Sequence, residues 1–162
     1  QQEKPSKTLQ KKKNRSSKLL ESFKEQKPTM PKLCELTAKE TVEKIREQGA
    51  VAVLAHPYSL VKPAPKDSQL IDARVDAVEV ANASHLPYHW LSRKNMALAK
   101  RLNLPVTGGS DAHTIEVVGR SYTIVETESK EVDAVVTSIR RGRTEALGSG
   151  ISLTEEVRKF WL

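Results

Sequence analysis

The sequence predicts an α/β fold in which most strands are parallel. Short apolar runs alternate with helical patterns along the chain, the runs are continuous rather than alternating in polarity, and polar residues follow them directly. Continuous apolar runs are typical of parallel strands covered on both faces, and the helices between them supply the connections. In such folds the ligand site lies at the carboxyl ends of the strands, so functional residues are expected there.

Length and composition are those of one soluble globular domain. The chain has 162 residues, of which 38% are hydrophobic and 29% are charged. No apolar run is long enough to cross a bilayer and no signal-peptide pattern begins the chain, so no membrane partner is expected. Cys34 is the single cysteine, which excludes an internal disulfide and indicates a reducing, cytoplasmic setting.

The positive charge is concentrated in residues 1–32. This segment has 10 Lys and Arg against 3 Glu, whereas residues 33–162 have 17 basic and 17 acidic residues. It contains few large apolar residues and is predicted to be a disordered N-terminal arm. The arm could bind nucleic acid or another polyanion. A solvated terminus without a partner is the alternative interpretation.

Helix and strand signals begin after this arm. Thr37 and Glu40 form a capping box, which predicts a helix that ends at Gly49. The apolar run at residues 50–55 predicts a central parallel strand, and His56 lies where Pro57 ends it, because proline cannot donate to a sheet ladder.

The later elements follow the same alternation. They are a short helix at 69–73, a strand at 77–81, a helix at 85–102, strands at 104–106 and 122–125, a helix at 132–139, a short strand at 144–147 and a terminal helix at 153–162. Asn82 follows the second predicted strand, as His56 follows the first.

The stretch LPVTGGSDAHT indicates a site at the end of the third predicted strand. Asp111 and His113 are two residues apart, so their side chains point to the same side if the extended conformation persists. Carboxylate and imidazole are a typical ligand pair for zinc, manganese or iron. Gly108 and Gly109 allow a turn or a close backbone approach. A glycine turn with a hydrogen-bonded aspartate is the alternative, but three consecutive strands with polar ends favour a site.

These motifs resemble a known family. GAVAVLAHPYS, VDAVEVANAS, LPVTGGSDAHT and VGRSYTIVE, followed by a helix ending in RRGR, resemble the C-terminal half of the PHP (polymerase and histidinol phosphatase) family, above all its stand-alone metal-dependent phosphoesterases. The resemblance covers about residues 31–162. It implies a partial PHP-type domain at residues 33–162, forming the C-terminal portion of a distorted (β/α)7 TIM-like barrel.

The resemblance also implies an activity and its residues. Family members hydrolyse phosphomonoesters or phosphodiesters with divalent metal ions, usually zinc, manganese or iron, so the substrate would be a small phosphorylated compound or a nucleotide. By their place in the motifs, the metal ligands are His56, Asp111 and His113, and the last two are also catalytic. Glu79 could face either the covering helices or the barrel lumen.

Three further residues are weaker candidates for substrate binding, namely Asn82, Arg120 and His85. Arg120 follows the metal-binding strand and could bind a phosphate oxygen, although a solvated arginine is equally compatible with its position. His85 and His89 have a spacing that places both on one helical face, which we expect near the mouth of the pocket or on the surface.

The chain departs from the family pattern at its N-terminal side. The family begins with an His-x-His strand and further ligands, whereas here no histidine precedes His56. Three ligands can hold one metal but not a cluster of two or three, so the truncated chain is expected to have weak or no activity. The alternatives are a non-catalytic, nucleic-acid-associated PHP-like scaffold that uses residues 1–32, and a fragment without function.

Overall fold

The computed structural model describes residues 36–59 and 65–152, and those from Thr37 onward belong to one compact unit. The predicted arm at 1–32 and the predicted terminal helix at 153–162 lie outside the described residues. The elements in chain order are α1 Ala38–Glu47, β1 Val53–Leu54, α2 Asp67–Ala73, β2 Ala77–Asn82, α3 Tyr88–Leu102, β3 Val106–Gly109, a 3-10 turn Ile115–Val117, β4 Ser121–Val125, α4 Val132–Arg140 and β5 Thr144–Gly148.

The strands form a parallel sheet and an antiparallel pair. The parallel sheet has the order β1-β2-β3, with Val53 opposite Ala77 and Asn82 opposite Gly109. Strands β4 and β5 pair antiparallel with α4 between them in sequence. The prediction of an α/β fold with parallel strands is therefore confirmed for the described part of the chain.

Helix α1 begins at the predicted capping box. The Thr37 hydroxyl accepts a hydrogen bond from the Glu40 backbone N–H at 3.2 Å, and the Glu40 carboxylate accepts one from the Thr37 backbone N–H at 2.7 Å. Two of the N–H groups that a helix start leaves without partners are thereby satisfied. Gly49 follows the helix with a φ of 75°, a conformation that glycine adopts without strain.

Strand β1 differs from its prediction. The run at 50–55 was expected to be a central strand covered on both faces, but β1 has only two residues and lies at the edge of the described sheet, where Val53 is 40% exposed. The Ala52 N–H donates to the Asp76 carboxylate at 2.8 Å rather than to a neighbouring strand. Among the described strands only β2 pairs with β1, so the run forms an edge strand and not a central one.

The core lies between β2 and the helices. Strand β2 is almost wholly buried, and Val78 and Val80 pack with Leu98 of α3 in one apolar cluster. A second cluster joins α1 to the end of α2 through Val42 and Ala73. Within the described residues, no helix is long and apolar enough to span a membrane.

Helix α3 starts later than predicted. It was expected from His85, but it begins at Tyr88 with Pro87 as its N-cap. Leu86 precedes a proline, and the helical conformation is disfavoured at such a position. His85 therefore lies in the connection between β2 and α3, outside the helix. The helix ends as predicted, at Asn103, which has a φ of 52°.

An ion cluster stands at the end of the sheet where β2 begins. Arg46 donates to Asp76 through Nη2 at 2.6 Å and through Nε at 3.2 Å, and Arg140 Nε lies 3.9 Å from the same carboxylate. Burial raises the pKa of Asp76, but the hydrogen bonds from Arg46 and the Ala52 N–H, with the charges of both arginines, lower it more. The net effect is a pKa below the usual value for aspartate.

Candidate functional site

Polar side chains converge at the opposite, carboxyl ends of the parallel strands. His56 follows β1, Asn82 ends β2 and Asp111 follows β3. The Asn82 Nδ2 group lies 3.4 Å from Asp111 Oδ2, which is a long hydrogen bond. The order of strands in the sheet thus brings together residues that are far apart in sequence.

Glu79 connects these strand ends. Its Oε2 atom accepts hydrogen bonds from the His56 backbone N–H at 2.8 Å and from Asn82 Nδ2 at 3.0 Å. The sequence left open whether Glu79 faces the helices or the interior of the site, and these contacts show that it faces the site. By resemblance, Glu79 stood with Asn82 among the polar strand-end residues near the site, but it was given no specific role. The available signal was a carboxylate within an otherwise apolar strand, where burial is costly unless partners are present.

The Asn82 amide is held on both sides. The side chain is fully buried, its Oδ1 accepts from the Ser84 backbone N–H at 2.9 Å, and its Nδ2 donates to Glu79 and Asp111. Because both carboxylates can only accept from the amide nitrogen, the orientation of the amide is defined. The hydrogen-bonding capacity of Asn82 is therefore used in positioning its neighbours.

The backbone at the site departs from extended geometry. His56 has a φ of 31° and Asp111 a φ of 47°, and both values lie in the left-handed region that residues other than glycine seldom adopt. The Ser84 hydroxyl donates to the Asp111 backbone carbonyl at 2.8 Å and helps to hold this turn. Strand β3 ends at Gly109, so the extended conformation assumed for Asp111 and His113 does not persist.

His113 contacts the backbone of Asp111 rather than its carboxylate. The His113 Nδ1 atom is 2.8 Å from the Asp111 carbonyl oxygen, and both residues are exposed. A hydrogen bond to a carbonyl places the proton on Nδ1 and leaves Nε2 available for a ligand. The pair is thus adjacent in space, but by a different geometry from that predicted.

His85 is more deeply placed than expected. It is 7% exposed, and its ring centroid is 6.1 Å from that of His56. His89, by contrast, is exposed on α3, so the predicted shared helical face is wrong. The His85 Nδ1 atom is buried without a hydrogen-bond partner among the described residues. Burial lowers the pKa of His85, the neighbouring His56 lowers it further, and Asp111 partly offsets this.

Arg120 directly precedes β4, which runs beside β3. The Thr123 hydroxyl of β4 bridges the N–H and the carbonyl of Gly108, both at 2.8 Å.

Within the ranges that the structure describes, no three His, Cys, Asp or Glu side chains form a group able to hold a metal ion. The His56 backbone N–H and the Asp111 carboxylate are linked through Glu79 and Asn82, and the His113 ring contacts the Asp111 backbone carbonyl.

Parts of this chain are similar in sequence or in fold to known proteins. Residues 91–144 match the family model of PHP-associated proteins. An uncharacterised protein of Methanocaldococcus jannaschii is 48% identical over 50 residues, which are 31% of this chain and 29% of that protein. The crystal structure of PsfC from Pseudomonas syringae superposes with a TM-score of 0.57 and 26% identity, covering 77% of this chain and 50% of the other.

A second solved structure has a similar fold. It is a two-domain protein from Bacteroides vulgatus containing a predicted PHP-like metal-dependent phosphoesterase, with a TM-score of 0.52, 20% identity, and coverage of 76% of this chain and 39% of that one. The chain therefore spans half or less of the length of each of these proteins. Residues 91–144 are thus similar to PHP-associated proteins, and the two solved structures share the fold of this part of the chain.

Proposed function

We propose that this chain carries part of the active site of a metal-dependent phosphoesterase, with its parallel strands forming the C-terminal portion of a distorted (β/α)7 TIM-like barrel. The observation that carries the proposal is the convergence of His56, Asn82 and Asp111 at the ends of three adjacent parallel strands. The PHP-like neighbour supports the same class of reaction. The reaction would be hydrolysis of a phosphomonoester or phosphodiester, with a small phosphorylated compound or a nucleotide as substrate.

The proposed ligands are of the right chemical type for a divalent metal, but too few of them lie together in the described residues. The proposed ligands His56, Asp111 and His113 offer two imidazoles and a carboxylate, a set suited to zinc, manganese or iron. Beside His56, the Nδ1 atom of His85 is buried without a hydrogen-bond partner among the described residues, as expected at a site that takes a polar ligand. Because these donors are not gathered into one cluster in the described residues, binding would require side-chain movement.

A bound divalent ion would lower the pKa of a water molecule and stabilise charge on the phosphate oxygens. The side chains have separate tasks. The Asp111 carboxylate would orient the attacking water and accept its proton. His85 would donate a ring N–H to the phosphate, and the Arg120 guanidinium would bind another phosphate oxygen. Asn82 would support the site by holding Asp111.

The proposal includes a limit on activity. Three protein ligands can hold one ion, whereas the family cluster of two or three ions also uses an His-x-His strand that this sequence does not contain. We therefore expect bound metal with little turnover. The likeness to a PHP-like phosphoesterase supports this proposal rather than a nucleic-acid-associated scaffold, and binding of nucleic acid by residues 1–32 stays a separate prediction.

Metal binding by the full chain tests the proposal directly. Calorimetric titration with Zn²⁺ and Mn²⁺ is expected to show one site. Loss of a supporting partner around a metal ligand typically weakens affinity by about 10–100-fold, so Asp111→Ala and His113→Ala should weaken it by at least about 100-fold. His89→Ala is the matched control, because it removes an imidazole that is exposed on α3.

Two results of the titrations would contradict the assignment of Asp111 and His113 as ligands. Equal affinities for the wild-type chain and for both Asp111→Ala and His113→Ala would show that these residues are not ligands. A loss of affinity in His89→Ala as large as in Asp111→Ala would point to non-specific binding. Hydrolysis of p-nitrophenyl phosphate, measured on the same samples, shows whether the bound metal supports turnover.

A further inference from the structure

We propose that Glu79 is a positioning residue that sets the geometry of all three strand ends, and that Gly109 is the residue whose lack of a side chain makes room for it. The consequence for metal affinity rests on the proposed function. The positional part of the inference stands on hydrogen bonds and contacts that are present without any metal.

The placement of Glu79 follows from the sheet. Val78 and Val80 pack into the apolar cluster with α3, and side chains alternate along a strand, so Glu79 projects from the other face of β2. A carboxylate in this position must find donors, because an ionised group in an apolar strand is costly without them. Both donors it finds belong to the site, namely the His56 N–H and the Asn82 amide.

Each of these hydrogen bonds fixes a different strand end. The bond to the His56 N–H holds that residue in its left-handed conformation at the end of β1. The bond from Asn82 Nδ2 holds the amide so that its second N–H points to Asp111 Oδ2 at the end of β3. One carboxylate oxygen of β2 thereby relates the two residues proposed as metal ligands on the neighbouring strands.

Gly109 explains how the carboxylate fits. A Cβ added at Gly109 would lie 2.7 Å from Glu79 Oε1, closer than non-bonded carbon and oxygen atoms approach. The φ of Gly109 is not positive, so its backbone conformation does not itself require glycine. A side chain at Gly109 would therefore displace the far end of Glu79 from the position in which its carboxylate accepts the two hydrogen bonds, so glycine here allows close packing rather than a turn.

A double-mutant cycle on the full chain separates this role from general packing. The variants are Glu79→Ala, Gly109→Ala and the two combined, with Glu79→Gln as the conservative replacement. Glu145→Ala is the control, since it removes a strand carboxylate that is exposed on β5. The readouts are the NMR resonances of the His56 amide and the Asn82 side-chain NH₂ in metal-free protein, and Zn²⁺ affinity by calorimetry.

We expect Glu79→Ala and Gly109→Ala each to shift both resonances and to weaken Zn²⁺ binding by about 10–100-fold. In the Glu79→Ala background, Gly109→Ala should add little, because the atom that it displaces is gone. Glu79→Gln keeps an acceptor oxygen and should largely restore the His56 amide resonance. Glu145→Ala should leave both resonances unchanged.

Unchanged resonances in Glu79→Ala, or additive effects of Glu79→Ala and Gly109→Ala, would overturn the inference. If Glu79→Ala fails to fold, Gly109→Ala and Glu79→Gln still test the positioning role. That role predicts a large shift of both resonances in Gly109→Ala and a small one in Glu79→Gln. If the wild-type chain binds no Zn²⁺ while the resonances follow the cycle, the proposed function fails and the positioning role of Glu79 stands.

Discussion

The replacement Asp76→Ala should destabilise the fold through a single well-defined cluster. The Asp76 side chain is 8% exposed, and its two oxygens accept hydrogen bonds from Arg46 and from the Ala52 backbone N–H. Truncation removes all of these bonds together. It leaves the Ala52 N–H without its acceptor and two arginines, Arg46 and Arg140, without their counter-charge.

The size of the effect follows from how much of the cluster is buried. Breaking a buried ion pair by removing one partner costs about 3–5 kcal/mol, whereas an exposed pair contributes about 0–1 kcal/mol. Asp76 resembles the first case, but the Arg46 side chain is 37% exposed and can regain water. We therefore expect Asp76→Ala to lower the free energy of unfolding by about 2–3 kcal/mol, between these limits.

Urea unfolding at pH 7, followed by circular dichroism, measures this loss. Asp67→Ala is the matched control, because Asp67 also forms a two-bond pair with an arginine, Arg101, but both side chains are more than 40% exposed. The loss in Asp76→Ala should clearly exceed the loss in Asp67→Ala. Equal losses would show that the burial of the Asp76 cluster contributes nothing beyond an ordinary surface pair.

The same cluster makes stability depend on pH. The pKa of Asp76 is lower in the folded chain than its usual value, so its stabilisation is complete above the unfolded pKa of about 3.9 and is lost as pH falls through the folded pKa. Asp76→Asn removes this dependence. The difference in unfolding free energy between the wild type and Asp76→Asn should therefore shrink steadily from pH 5 to the acid limit, and a constant difference would contradict the assignment.

Three other substitutions test separate parts of the fold. Asn82→Asp places a carboxylate beside those of Glu79 and Asp111. It should lower the free energy of unfolding by about 3–5 kcal/mol at pH 7, and by less at pH 4. An Asn82→Asp variant as stable as the wild type at pH 7 would contradict this expectation. Leu98→Ala removes a core side chain that is 1% exposed and should cost about 2–5 kcal/mol in urea unfolding, whereas a loss below about 1 kcal/mol would mean that the core collapses around the gap. Thr37→Ala should cost about 1 kcal/mol through loss of the cap, and Thr37→Ser, which retains the hydroxyl, should restore it.

Local signals in the sequence were reliable where the interaction itself is local. The capping box of Thr37 and Glu40 needs only four consecutive residues, and it forms as predicted. The start of α3 was misplaced because apolar periodicity alone cannot locate it, although Pro87 carried the necessary signal. Because the helix starts three residues later, His85 lies in a buried position of the preceding loop and not on the predicted helical surface.

Features that depend on distant partners could be predicted only in outline. The convergence of strand ends followed from the α/β pattern, because parallel strands bring their carboxyl ends to one edge. The role of Glu79 did not follow, since it depends on the register of β1 and β3 against β2. The edge position of β1 likewise depends on which strands lie beside it, and an apolar run contains no information about its neighbours.

Strand β2 carries the Asp76 cluster just before its first residue and the candidate site at its last. Six residue steps separate Asp76 from Asn82, which at about 3.3 Å per step is about 20 Å. Substitutions so far apart that share no partner combine additively to within about 0.5 kcal/mol. The losses of unfolding free energy caused by replacing Asp76 and by replacing Asn82 should therefore add, so the strand carries two separate contributions to stability, one at each end.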